Sequence, residues 1–198
     1  MSISIADLNS QQIDVLKEIG NIGAGNAVTA LSKMVSKRID MKVPIVNIVE
    51  FKEVAELVGG PEMLVSGIYF KVSGDITGSI MFLIDNDSSR TLINWLMGKD
   101  ETNADLDEIE LSALKEVGNL SSLSTLTGLS MTVSIPSLAI DMAGAIMSVP
   151  VILFGQVGDH VLLIETDFIE GINRVKGNFF LIPDEQSFEI LLKSLGVI

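Results

Sequence analysis

The sequence predicts an α+β domain in which helices flank an antiparallel sheet and an internal repeat gives the fold pseudo-twofold symmetry. Two observations lead to this prediction: one helical motif occurs twice half a chain apart, and β-rich runs are joined by short polar turns. Strands joined by tight hairpins favour an antiparallel sheet over a doubly wound parallel one. A length of 198 residues fits two fused units, residues 1–98 and 99–198, that share one core in a compact domain.

The repeat relates the segment Asp14-Val-Leu-Lys-Glu18-Ile-Gly-Asn21 to Ser112-Ala-Leu-Lys-Glu116-Val-Gly-Asn119 at an offset of 98 residues. The same offset aligns Leu83-Ile84-Asp85 with Leu181-Ile182-Pro183 near the ends of the two units. Because both matches share one register, we interpret the chain as two copies of one unit. We expect two equivalent long helices to carry the repeated motif.

Start signals place a leading helix in each half. Asn9 with Gln12, and Asp105 with Glu108, have the spacing of a capping box, in which two side chains satisfy the free amides of a helix start. A final amphipathic helix is predicted after Pro183-Asp184. Each half therefore reads as a leading helix, a set of strands and a closing helix.

The strands are predicted from β-rich runs on both sides of polar turns. Val65–Val72 and Ile76–Ile84 form one such pair, and Pro150–Val157 and Val161–Thr166 form another. The apolar stretch Met142–Phe154 is shorter than the ~20 residues that a membrane span needs. We therefore expect it to be a buried strand region, and we expect no insertion into a membrane.

Composition excludes several functional classes. The formal charge of −13 and the lack of a long basic run argue against binding to nucleic acid. The chain has no cysteine, which excludes thiolate nucleophiles and Cys-ligated zinc. The single histidine, His160, is expected in a hairpin turn, which disfavours Ser-His catalysis and multi-His metal sites. No basic region precedes an apolar run at the N-terminus, so we expect a cytoplasmic protein.

Three polar residues of the motif share one face of the predicted helix. An α-helix turns ~100° per residue, so Glu18 lies about +40° and Asn21 about −20° from Asp14. An isolated pair of this kind is usually an ordinary wet helix surface. Duplication favours a function instead, because Asn is a poor helix former and is kept in both copies.

A carboxylate and a carboxamide one helical turn apart can form half of a hydrolytic site. Asn is no general base, but it can orient a water molecule by donating and accepting hydrogen bonds. Positioning of this kind suffices for phosphoryl hydrolysis, where geometry and electrostatics dominate. The glycines of this segment, Gly20, Gly23 and Gly25, are explained by close packing of the helix on a neighbour. For Gly25, on the polar face, the alternative is that it leaves space for a partner's backbone.

These residues resemble the CheC family of chemotaxis phosphatases, which includes CheC, CheX and the CheC-like part of FliY. The family signature is Asp/Ser-x-x-x-Glu-x-x-Asn followed, after a spacer of 22 residues, by Pro. Asp14, Glu18, Asn21 and Pro44 match it, with residues 22–43 as the spacer. The resemblance spans essentially the whole chain, including the two-copy layout.

The resemblance implies that the chain removes phosphate from the phosphoaspartate of the response regulator CheY. Asn21 and Asn119 would orient the water, while Glu18 and Glu116 would pair with a lysine of the regulator. Asp14 and Ser112 belong to the same partner-binding surface. No cofactor of the chain's own is implied, because the Mg²⁺ is expected on the regulator.

The resemblance further implies a second partner, the receptor deamidase CheD. The segment Ala139–Ile146 is similar to the family's CheD-contact region, and Asp141 is its candidate contact residue. Nothing in the sequence demands more than a monomer. Two alternatives to an enzyme remain: a weakly catalytic or non-catalytic adaptor that binds CheD or CheY, and a structural role at the flagellar switch, as in FliY.

The second copy departs from the family pattern. Sixteen residues, 120–135, separate Asn119 from Pro136, six fewer than in the first copy. Six residues correspond to ~1.7 turns of helix, so their loss rotates the following segment by about 120°. The sequence therefore favours Glu18 and Asn21 as the principal site, with Glu116 and Asn119 as a second one.

Overall fold

The computed structural model describes residues 8–99, 106–118, 131–154 and 159–198. In the first half, the helices are α1 (Ser10–Val35), α2 (Val54–Leu57, after a 3₁₀ turn at Phe51–Glu53) and α3 (Asn86–Met97). The strands of this half are β1 (Asp40–Met41), β2 (Ile45–Glu50), β3 (Leu64–Gly74) and β4 (Gly78–Asp85).

The second half has the same order of leading helix, strands and closing helix. Its helices are α4 (Glu108–Gly118), α5 (Ala143–Ile146), α6 (Ser148–Phe154) and α7 (Glu185–Ser194). Its strands are β5 (Met131–Val133), β6 (Ser137–Met142), β7 (His160–Glu170) and β8 (Asn173–Pro183).

All strands join one antiparallel sheet in the order β1-β7-β8-β4-β3-β5. Strand β2 also pairs with β7, and β6 also pairs with β3. One edge of the sheet is therefore formed by β1 and β2, and the other by β5 and β6. The pairing of β4 with β8 joins the two halves at the centre of the sheet. The predicted α+β class and the antiparallel sheet are confirmed.

Hydrophobic cores cover both faces of the sheet. One core packs side chains of α1, α3, α4 and α7, including Leu16, Leu92, Leu114 and Leu191, against the sheet. The other core lies under the short helices and includes Val54 of α2 and Ile146 of α5. Because α1 and α4 both pack on the first core, the described residues of the two motif segments lie on the same side of the sheet.

The leading helices begin with reciprocal capping boxes, one of them where the sequence predicts it. Asn9 and Gln12 exchange hydrogen bonds of 2.9 and 3.0 Å, as predicted. In the second half, Asp107 and Glu110 form the box, with hydrogen bonds of 3.0 and 2.8 Å. The predicted box of Asp105 with Glu108 is therefore wrong by two residues, and Asp105 itself lies outside the described residues. The buried Glu110 also binds Lys99 (2.8 Å).

The hairpin of β3 and β4 is confirmed. The strand predicted over Pro150–Val157 is wrong for Pro150–Phe154, and residues 155–157 lie outside the described residues. Residues 143–154 form α5 and α6 instead, and β7 pairs with β8. A short apolar run cannot be assigned to strand or helix from its periodicity, and a proline is tolerated in the first turn of a helix. His160 begins β7, opposite Glu50 of β2, and does not lie in a hairpin turn. In the described ranges no helix has the length and apolar character needed to cross a bilayer.

The closing helices α3 and α7 are capped in the same way, one residue out of the predicted register. The Asp85 carboxylate accepts a hydrogen bond from the N–H of Ser88 (2.7 Å), and the Asp184 carboxylate accepts one from the N–H of Ser187 (2.7 Å). The two caps are therefore 99 residues apart and not 98. The two serines also bind across the halves: Lys176 N–H donates to Ser88 Oγ (3.1 Å), and Thr77 N–H donates to Ser187 Oγ (2.6 Å). The predicted alignment of Asp85 with Pro183 is therefore wrong by one residue, because Asp85 is equivalent to Asp184.

Candidate functional site

Helix α1 presents the first motif on a single continuous helix. Its inner face is buried through Leu16, Ala24, Ala27 and Leu31, while Asp14 and Glu18 are exposed. The 26-residue helix contacts β1, β2, β7 and α3, so the sheet and a neighbouring helix hold it in place. The motif therefore lies on a rigid element and not on a loop.

The two carboxylates of the first motif differ in their surroundings. Asp14 accepts a hydrogen bond of 3.3 Å from Lys17, and both side chains remain open to solvent. Surface pairs of this kind contribute at most about 1 kcal/mol to stability. Glu18, one turn further along, is exposed on the same helix, so its carboxylate is accessible to a partner.

Asn21 is half-buried at the border between the exposed and the inner face of α1. Its Oδ1 atom is shielded from solvent and has no hydrogen-bond partner within the described part of the chain. An unpaired buried carbonyl costs about 1–3 kcal/mol, and such groups concentrate where a ligand or water completes the hydrogen bonding. Asn21 thus combines a shallow position with unused hydrogen-bonding capacity.

The glycines of α1 have two different surroundings. A Cβ atom on Gly20 would lie 2.9 Å from Cγ2 of Val46 and 3.6 Å from Ile164, so the helix touches the sheet at this residue. A Cβ atom on Gly25 would meet only the Met41 side chain, at 4.0 Å, which is an ordinary contact. The close-packing explanation therefore holds for Gly20, and the packing of the chain gives no reason for glycine at Gly25.

The second motif lies on α4, where Ser112 and Glu116 are exposed. These two residues line an open groove of about 420 Å³ together with Met34 of α1, Leu96 of α3 and the largely exposed Ile109. The structure therefore brings Ser112 and Glu116 together on one helix face. Asn119, the remaining residue of the second motif, lies outside the described residues.

The two prolines of the signature occupy similar places in the sheet. Pro44 is buried and immediately precedes β2, and Pro136 immediately precedes β6. Both strands lie at the edges of the sheet, where β2 pairs with β7 and β6 pairs with β3. The spacer between the motif asparagine and the proline therefore contains the connection from the leading helix to the edge strand.

Asp141 is separate from both motifs. It is exposed on β6, its carboxylate accepts a hydrogen bond of 2.7 Å from the N–H of Met142, and its register partner on β3 is Val65. Side chains alternate along a strand, and Ala139, two residues earlier, packs on the core under the short helices. Asp141 therefore lies on the sheet face opposite α1 and α4.

Sequence reasoning missed a buried ionic cluster that holds the connection between α1 and β2. The nearly buried Asp167 on β7 binds Arg174 of β8 and Lys42, whose ammonium group lies 3.3 Å away. Burial alone raises the pKa of the Asp167 carboxyl, but hydrogen bonds from Arg174 and Lys42 outweigh it and lower that pKa below its usual value. Strand β7 also carries Glu165 and Glu170, so no sequence signal singled out Asp167 for this cluster.

The described residues contain no group of three or more His, Asp or Glu side chains placed to hold a metal ion. A small apolar cavity of about 60 Å³ lies beneath α1 and is lined by Leu16, Gly20, Ala24 and Phe180, among others. Its walls carry almost no polar surface, so it offers no hydrogen-bonding groups for a polar substrate. The two carboxylates of the first motif lie on the outside of the helix, away from this cavity.

Comparisons with known proteins agree with this arrangement. A model of the CheC-like family matches residues 12–48, which contain most of α1 together with β1 and most of β2. The CheY-P phosphatase CheC of Bacillus subtilis is 34% identical over 200 residues, which cover 96% of this chain and 96% of that protein. The flagellar motor switch phosphatase FliY of the same organism is 27% identical over 132 residues, or 66% of this chain and 34% of that protein.

Among solved structures, Thermotoga maritima FliY superposes with a TM-score of 0.76. The match covers 96% of this chain and 98% of the FliY chain, at 23% sequence identity. At that identity the likeness concerns the fold, an antiparallel sheet flanked by helices. The fold, the matched segment around α1 and the relative that is similar over its full length all point to one family.

Proposed function

This chain belongs to the CheC-like family, and we propose that it is a CheY-P phosphatase. In this proposal Asn21 orients the water that attacks the phosphorus of a phosphorylated CheY-type regulator. The bond between phosphorus and the aspartyl oxygen breaks, the aspartate carboxylate leaves, and inorganic phosphate is released. The observation that carries the proposal is the exposed Glu18 and the half-buried Asn21 on one face of α1.

The two residues have different tasks in this reaction. The Asn21 carboxamide can donate and accept hydrogen bonds, and its half-buried position on α1 lets it hold a water in line with the leaving oxygen. Glu18 is placed to dock on a lysine of the regulator, because its carboxylate is open to solvent. By the family resemblance the phosphoryl group, its Mg²⁺ and the lysine all come from the regulator.

The direct test is to load the cognate regulator with a small phosphodonor and follow phosphate release with and without this protein. We expect acceleration by the wild-type chain, and Asn21→Ala should reduce it by on the order of 10²-fold, as expected for loss of one preorganised hydrogen-bonding group. Asn26→Ala is the matched control, because Asn26 is an exposed asparagine on the same helix. If the wild-type chain does not accelerate phosphate release, the enzyme proposal fails.

Glu18→Ala tests the docking role separately. If Glu18 contributes chiefly to binding, its loss should raise KM for the phosphorylated regulator and leave kcat less affected. Replacing the matching lysine of the regulator by glutamate should weaken its binding to the wild-type chain. Glu18→Lys should then restore binding to that altered regulator. A fall in kcat with unchanged KM would contradict the docking role.

We also propose that the chain contains two copies of one unit, residues 1–98 and 99–198, and that Ser112, Glu116 and Asn119 form a second site. The equivalent caps of α3 and α7 support the duplication, as do the reciprocal hydrogen bonds of Ser88 and Ser187 across the halves. The exposure of Ser112 and Glu116 on one face of α4 supports the second site.

CheD binding through Asp141 is a second candidate function, and the protein would then act partly as an adaptor. It is supported by the exposure of Asp141 on β6, next to the exposed apolar side chains of Ile140 and Met142. We expect Asp141→Lys to weaken binding of CheD in titration calorimetry, while the thermal unfolding and the phosphatase activity stay unchanged. Unchanged affinity for CheD would remove Asp141 from the interface. For both functions we expect the protein to be cytoplasmic. We also expect it to be a monomer, and light scattering can test the oligomeric state.

A further inference from the structure

We propose that Gly20 is a positioning residue for the phosphatase reaction, because its contact with Val46 sets the depth at which α1 holds Asn21. This inference rests on the proposed function and adds a requirement to it. Gly20 lies between Glu18 and Asn21 in the sequence, but it faces the sheet and not the solvent. Its effect on the reaction is therefore indirect, through the position of its neighbour.

The contact at Gly20 leaves no space for a side chain. A Cβ atom there would lie 2.9 Å from Cγ2 of Val46, closer than carbon atoms approach in folded proteins. Val46 is buried in β2 and pairs with Ile164 of β7, whose methyl groups would lie 3.6 Å from the same Cβ. Since β-branched side chains are stiff at χ1, Val46 cannot easily turn away. An added methyl group would push the helix outward.

The surroundings of the contact show why the helix position depends on this residue. The cavity beneath α1 adjoins Gly20 and is lined on the helix by Leu16, Gly23 and Ala24. Between Leu16 and Ala24, part of the inner face of α1 borders this cavity and does not contact the sheet. Gly20, in contrast, contacts Val46 of β2. The distance between α1 and the sheet near the motif is therefore set by the Gly20–Val46 contact.

The depth of the helix decides what Asn21 can do. Asn21 is half-buried and its Oδ1 is shielded from solvent, so a shift of the helix away from the sheet would expose this atom to bulk water. A catalytic group displaced by ~1 Å can lose about 10²-fold in rate, because the attacking water is no longer held in line. Glu18 lies on the outer face, where a small shift changes docking less.

The alternative is that Gly20 serves packing and stability only. It predicts that Gly20→Ala alters the free energy of unfolding, while kcat of the folded protein stays the same. The positioning role predicts a lower kcat in a protein that remains folded, with KM for the phosphorylated regulator little changed. The two explanations therefore differ in kcat measured at a temperature where all variants are folded.

The test uses a pair of substitutions that remove and restore the contact distance. Gly20→Ala should lower kcat at least about tenfold. Val46→Ala removes the methyl group that the new Cβ meets, so the double variant Gly20→Ala/Val46→Ala should recover most of the wild-type kcat. Circular dichroism and thermal unfolding of all variants establish that the measured protein is folded.

Ala27→Gly is the control for general weakening of α1, because Ala27 is buried on the same helix face two turns away. It should lower stability and leave kcat unchanged. If Gly20→Ala keeps wild-type kcat, or if Val46→Ala fails to rescue a folded double variant, the positioning role is wrong. If the wild-type chain itself does not accelerate phosphate release, the proposed function fails, which is a distinguishable result.

Discussion

The two helices that carry the motif are anchored to the rest of the molecule by different physical means. The start of α1 has a neutral capping box of Asn9 and Gln12, and the helix packs along β1, β2 and β7. The start of α4 has an acidic box of Asp107 and the buried Glu110, which also binds Lys99, two residues beyond the end of α3. The first site thus depends on packing against the sheet, and the second also depends on an ion pair.

The largest expected effect concerns the core beneath each helix. Leu16 of α1 and Leu114 of α4 are 98 residues apart and are both fully buried. Leu→Ala at either position should lower the free energy of unfolding by about 2–5 kcal/mol, measured by urea titration. Leu16→Ala should be the costlier of the two, because Leu16 already borders the cavity beneath α1 and the enlarged void cannot collapse. A clearly smaller loss of unfolding free energy for Leu16→Ala would show that α1 can move to fill the cavity. That result would contradict a fixed position of α1 on the sheet.

The next prediction compares the two asparagines. We expect Asn21→Ala to remove most of the phosphatase activity and Asn119→Ala to remove less, because the second copy lacks six residues of the spacer that follows its motif. The double variant should be inactive. The measurement is phosphate release from the phosphorylated regulator by each purified variant. If Asn119→Ala proves the more damaging change, the ranking of the two sites is reversed.

Much of the fold was predictable from the sequence because local signals agreed with it. Two β-rich runs on either side of a polar turn predicted the β3–β4 hairpin, and Asn9 with Gln12 predicted the start of α1. Pro150–Phe154 was assigned wrongly because a short apolar run fits a strand or a helix equally well. Its helix, α6, follows α5, which is held to β3 by the Tyr69 hydroxyl, the donor to the carbonyl of Ile146 (2.9 Å). No local pattern predicts this long-range contact.

For the candidate site, the sequence predicted which residues share a helix face but not their depth. The exposed positions of Glu18, Ser112 and Glu116 follow from helical periodicity alone. The half-buried state of Asn21 and the tight contact of Gly20 depend on the separation of α1 from β2. That separation is a tertiary property set by residues 26 or more positions away in the chain, such as Val46, and no local pattern encodes it.

A third prediction uses pH to separate the two helix starts. The hydrogen bond from Lys99 and that from the Asp107 backbone lower the pKa of the Glu110 carboxyl. Its contribution to stability is therefore complete above the ordinary Glu pKa of about 4.3 and is lost as the pH falls through the lower folded-state value. Glu110→Gln should destabilise the protein at pH 7 and should remove this part of the acid sensitivity.

The neutral box provides the control for the pH prediction. Asn9→Ala should cost about 1 kcal/mol, as is usual for loss of an N-cap, and the cost should be the same at pH 7 and near pH 4 because neither Asn9 nor Gln12 titrates. Urea unfolding of both variants at the two pH values is the measurement. An equal pH dependence of wild type and Glu110→Gln would show that the Glu110–Lys99 pair does not anchor α4.

The smallest expected effect separates the two glycines of α1. Since a Cβ on Gly25 meets only Met41 at 4.0 Å, Gly25→Ala should raise the free energy of unfolding by about 0.5–1 kcal/mol through its higher helix propensity. The second copy has Leu123 at the position 98 residues later, so only the first motif is followed by glycine there. If this glycine leaves space for the regulator's backbone, Gly25→Ala should raise KM a few-fold in a protein that is more stable than wild type. Greater stability with unchanged KM would instead mean that the regulator does not approach α1 at Gly25, and that the first site ends at Asn21.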